Sequence, residues 1–79
     1  MGVARIEVMG DEQRQVRIMT VLQLIINAPD AMRVRAAAAY AHGYIDGLFD
    51  EGQLSVQSAQ DMKWVAQMRR DKRLSDLSI

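Results

Sequence analysis

The chain predicts a mainly α fold, a three-helix bundle preceded by a short N-terminal strand or extended arm, in a single small domain over residues 1–79. Three observations predict it. Two short segments, Asn27-Ala28-Pro29-Asp30 and Glu51-Gly52-Gln53-Leu54-Ser55, each place helix-ending chemistry directly before a helix-starting residue. Between these breaks, apolar residues recur at the α-helical period. The chain also has no cysteine and only one histidine, so neither disulfides nor a four-ligand zinc site can staple a domain this small. Tight helix packing or self-association is left as the source of added stability.

Residues 3–9, VARIEVM, alternate Val3, Arg5, Glu7 and Met9 on one face with Ala4, Ile6 and Val8 on the other, a short strand signal that gives the arm its bounds of 1–10. Gly10-Asp11 breaks it. Asp11 is placed to cap a first helix over about residues 12–26, with Glu12 adding negative charge to its first turn. From Val16 to Ile26 this helix is apolar around most of its circumference, which implies more than one neighbour. The residue before Pro29 disfavours the α region, and Asp30 is a good N-cap for a second helix over about 31–50.

That second helix presents Val34, Ala37, Ala41, Tyr44, Ile45 and Leu48 on one arc and Ala36, Ala39, Gly43 and Gly47 on the far side, with Arg35, His42, Asp46 and Asp50 between. Glycine inside a helix costs about 0.5–1 kcal/mol relative to alanine, so Ala39, Gly43 and Gly47 read as a close-approach stripe. Its occupant is either a neighbouring helix of the same chain or a second copy in a homodimer. Gly52 is placed as a left-handed cap and Ser55 as the next N-cap, so a third helix is expected over about 56–73 with SDLSI as a frayed tail.

The third helix also has two apolar sides. Ala59, Met62 and Ala66 share one, and Trp64 and Met68 the opposite one. Burying a Trp or a Met is worth roughly 1.5–3 kcal/mol or somewhat more each. Either helix one or the N-terminal segment covers this pair, or the pair is a hydrophobic anchor for a partner, rimmed by Lys63, Arg69, Arg70, Lys72 and Arg73. The basic run MRRDKR also suits phosphate or an acidic groove, although Asp71 interrupts it and cations near a helix C-terminus complement the dipole.

Composition narrows the function. Ten basic and ten acidic residues give a net charge of zero and no global attraction to nucleic acid or anionic lipid. No apolar run approaches the roughly 18 residues that span a bilayer, and no signal-peptide pattern opens the chain, so a cytoplasmic protein without membrane partners is expected. His42 and Asp46, one turn apart, read as an exposed ion pair rather than a metal or proton-transfer site, because no further ligand or nucleophile is spaced to complete one. There is no phosphate-binding loop, dinucleotide fingerprint or metalloprotease motif, so the chain is read as non-enzymatic and without cofactors.

Two classes of function fit. One is a non-catalytic protein that binds and occludes another. The other is a ribbon-helix-helix DNA-binding repressor dimer, whose strand would be VARIEVM with Arg5 as its polar contact beside a repulsive Glu7. The segment AYAHGYIDGLFDEGQLS, Ala39 to Ser55, resembles one common in short accessory proteins of bacteriophages and mobile elements, where an Ala-rich helix is followed by an acidic-Gly turn and a helix beginning at Leu-Ser. The resemblance covers about a quarter of the chain. It implies a host-directed inhibitor, of the anti-CRISPR or anti-activator type, that acts on a host protein or protein complex. Under that reading Trp64 and Met68 enter a pocket while Arg69, Arg70 and Arg73 meet acidic groups, or Asp46, Asp50 and Glu51 mimic phosphate.

Overall fold

The computed structural model describes the backbone of residues 2–78 and side chains from Glu12 to Ser78. Three helices follow one another: α1 (Gly2–Asn27), α2 (Ala31–Asp50) and α3 (Val56–Leu77). All three pairs pack together, which makes the fold a three-helix bundle. The connections are too short for anything but antiparallel neighbours, so α1 and α3 run the same way with α2 opposed.

Both breaks form with the chemistry expected of them. The Asp30 side chain accepts a hydrogen bond from the Arg33 backbone N–H at 2.8 Å, and Ser55 Oγ accepts from Ser58 N–H at 3.0 Å, each satisfying an otherwise orphaned donor at a helix start. At the end of α2, Gly52 takes φ +75°. Its N–H bonds Phe49 O at 2.9 Å and the next N–H, from Gln53, reaches back to Leu48 O at 2.8 Å. This double closure is the Schellman arrangement, and its left-handed residue is a place where glycine's missing Cβ is needed.

Two expected boundaries move. Residues 3–9 are helical rather than a strand or extended arm, and α1 begins at Gly2 instead of near Glu12, so Gly10-Asp11 neither breaks the chain nor caps a helix. Seven residues, five of them apolar around Arg5 and Glu7, do not by themselves distinguish the two periods, and a lone strand has no ladder partner among the described residues. Extending an existing helix, by contrast, adds one hydrogen bond for each residue fixed. At the other end α3 continues to Leu77, four residues past the expected stop at 73. Leu74 and Leu77 are half-buried against the core, which holds the last turn in place, and Ser78 N–H closes it on Leu74 O at 3.1 Å.

The core lies along the shared axis. From α1 come Ile18, Val21, Leu22 and Ile25, joined by Ala28 of the connection; from α2 come Val34, Ala38, Ala41, Ile45 and Leu48; from α3 come Ala59 and Ala66. The α2 positions step by four and three alternately, the 3.5-residue seam of left-handed helix packing. Ala37 and Tyr44, expected on the same arc, are half-buried beside it. Alanine at the closest contacts lets the helices approach tightly, and no buried polar side chain is left without a partner among the described residues.

Candidate protein-binding face

α3 turns Ala59 and Ala66 inward, and the helical period therefore turns the residues half a turn away outward. Trp64 and Met68 occupy that outer side, 63% and 50% exposed, one helical turn apart. No described part of the chain covers them. Leaving an indole and a thioether side by side in water forgoes part of a burial worth roughly 1.5–3 kcal/mol each.

The basic residues grouped with that pair in the sequence are mostly directed elsewhere. Arg73, half-buried, donates from Nε to the Ala28 carbonyl at 3.0 Å and so ties the end of α3 to the turn between α1 and α2. Lys63 is ion-paired to Asp46 of α2. Arg69 and Arg70 are only half-exposed, and Arg70 Nε bonds the neighbouring Asp71 carboxylate at 3.0 Å. The residues that do flank the apolar pair on its own side are Asp61 and Lys72, eleven residues and hence three turns apart on one edge. Asp61 accepts from Gln57 Nε2 at 2.9 Å, and Lys72 lies 3.6 Å from Asp76. Of the basic residues grouped around the pair in the sequence, Lys72 flanks it, and wheel position alone does not reveal that a long cationic side chain such as Arg73 lies back over its own bundle.

The second helix carries the small-residue stripe on its solvent side. Ala39, Gly43 and Gly47 are exposed, and a Cβ built at Gly43 or Gly47 would meet nothing within 4 Å. An intramolecular neighbour on the stripe is therefore excluded among the described residues. Its flank holds His42, half-buried, and Asp46, whose carboxylate goes to Lys63 across the bundle rather than to His42. Tyr40 and Tyr44 stack with ring centroids 6.4 Å apart on the other flank.

An open groove of about 640 Å³ between α2 and α3 has Ala38, Ala39 and Leu74 as its floor and Arg35, His42 and Arg70 at its edges. The pairing of Arg35 with His42, seven residues apart on one helix, was visible in the sequence; the approach of Arg70 from α3 was not. Among the described residues no cluster of three or more His, Asp or Glu is placed to hold a metal ion, and no helix is long and apolar enough to cross a membrane. Comparison with protein-family models, with curated proteins and with solved structures finds no match to this chain.

Proposed function

We propose that the protein is a non-catalytic protein-binding module whose contact face is the outer side of α3, centred on Trp64 and Met68. The observation that carries this reading is the exposure of the chain's single Trp beside a half-exposed Met on a regular, well-capped helix. Trp is the residue type most enriched among those that dominate binding energy, and a rigid helix presents it at little entropic cost. Such a module acts by occupying its partner's surface, which is how an inhibitor of the phage accessory type would work. The ribbon-helix-helix alternative has less support, because residues 3–9, which would be its strand, are helical.

The test is capture of partners by the tagged full-length protein from nuclease-treated bacterial lysate, beside Trp64→Ala and an outer-face control on α1, Met19→Ala. A stoichiometric protein retained by the parent and the control but lost with Trp64→Ala supports the module. Equal retention by all three shows that this face does not bind another protein.

A further inference from the structure

The outer side of α3 is complementary to itself. Trp64 and Met68 share a midpoint near Ala66, and Asp61 and Lys72 share almost the same midpoint on one flank. We propose that the partner seated on this face is a second copy of the chain, with the two α3 helices antiparallel about a two-fold axis near Ala66. This rests on the binding-module reading above and names its partner.

A two-fold axis perpendicular to both helices places the same flank of each copy on the same side of the seam. Trp64 of one copy then meets Met68 of the other, and Asp61 of one meets Lys72 of the other, each pair occurring twice. Sulfur against an aromatic ring is a favourable contact as well as an apolar one. Gln57 falls opposite Ser75, and Asp71, already bonded to Arg70, falls beside Gln60 of the other copy, level with that copy's Asp61 but on the opposite flank of the seam. A parallel pair does the opposite: it separates Asp61 from Lys72 by three turns, roughly 16 Å of helix. α1 and α2 lie on the far side of α3 in each copy, so neither obstructs the approach. A seam of one helix pair belongs to the small class of interfaces, which sets the expected affinity in the micromolar range or weaker.

The test is sedimentation equilibrium of the full chain from roughly 10 to 500 µM, the range that resolves such an affinity. The expected result is a concentration-dependent rise from the 8.9 kDa monomer towards twice that mass, with Trp64 fluorescence shifting to the blue in step. Trp64→Ala should weaken the dimer by roughly a hundredfold. Asp61→Lys and Lys72→Asp, each alone, should weaken it by about tenfold, because each puts like charges in contact twice. Mixing these two variants should restore association, since in the mixed pair every Lys meets an Asp. A loss of helix stability from either variant is not repaired by mixing, so the restoration reads the antiparallel register itself. A monomer throughout the range, a dimer indifferent to Trp64→Ala, or single variants that fail to complement overturns the proposal. A chain that stays monomeric yet captures another protein through Trp64 overturns the second copy and leaves the binding module standing; one that does neither removes both.

Discussion

Ile25 and Leu24 are adjacent in sequence and opposite in environment, so truncating each in turn tests the orientation of α1 against the bundle. Ile25 is fully buried, at 0% exposure, whereas Leu24 is 49% exposed. Ile25→Ala removes three carbons from a closed site. At about 0.8 kcal/mol per buried methylene the transfer term is roughly 2.4 kcal/mol, and the cavity left behind raises the expected cost to about 3 kcal/mol. A domain of this length has a total stability of roughly 4–12 kcal/mol, so that single change removes a quarter or more of it. Leu24→Ala leaves no cavity, and half of its side chain is already in water, so its cost should stay below about 1 kcal/mol. Urea and thermal denaturation followed by circular dichroism read both. At 4–8 °C per kcal/mol, the midpoint should fall by roughly 12–24 °C for Ile25→Ala and by only a few degrees for Leu24→Ala. Equal losses, or the larger loss at Leu24, would refute this placement of α1.

Two further outcomes follow from local backbone chemistry. Gly43→Ala should stabilise the protein by about 0.5–1 kcal/mol, because the position is helical and an added Cβ meets nothing, whereas Gly52→Ala at φ +75° should cost about 1–2 kcal/mol; chemical denaturation of both should show opposite signs. Asp30→Ala deletes the acceptor for Arg33 N–H and should cost about 1 kcal/mol, while Asp30→Ser, which keeps an acceptor at that position, should recover most of the midpoint.

What the sequence made legible was chemistry confined to a few neighbouring residues. Asp30, Gly52 and Ser55 are readable because a cap or a left-handed turn is decided within about four residues, and the core arc of α2 is readable because one period runs unbroken from Val34 to Leu48. Legibility failed where the deciding partner sits elsewhere in the fold. Residues 3–9 satisfy an alternating pattern, yet a strand there would need a ladder partner, and none is present among the described residues. The Ser and Asp of SDLSI suggest fraying, but Leu74 and Leu77 find the core and extend the helix. Asp46 looks like half of an i,i+4 pair with His42 until α3 brings Lys63 to it. Arg73 reads as part of a basic rim until the turn at Ala28 offers it a carbonyl.

The contrast between what is inside and what is outside bears on the proposed association. Among the described residues, five of the twelve buried apolar residues are alanine, and they include both buried residues of α3. Alanine brings helices close together but removes little apolar area from water per residue. Of the larger apolar side chains of α3, Met62, Leu74 and Leu77 pack partly against the core, whereas Trp64 and Met68 are on the outside, as are Val16, Met19 and Leu24 of α1. In a three-helix bundle both neighbours of any helix lie on the same side of it, so a helix that is apolar on two sides cannot satisfy the second side from within its own chain. The doubled apolar character of α3 was therefore never a sign of a third intramolecular neighbour. It follows from a lean internal core joined to an outer face, Trp64 with Met68, that the bundle itself leaves in water.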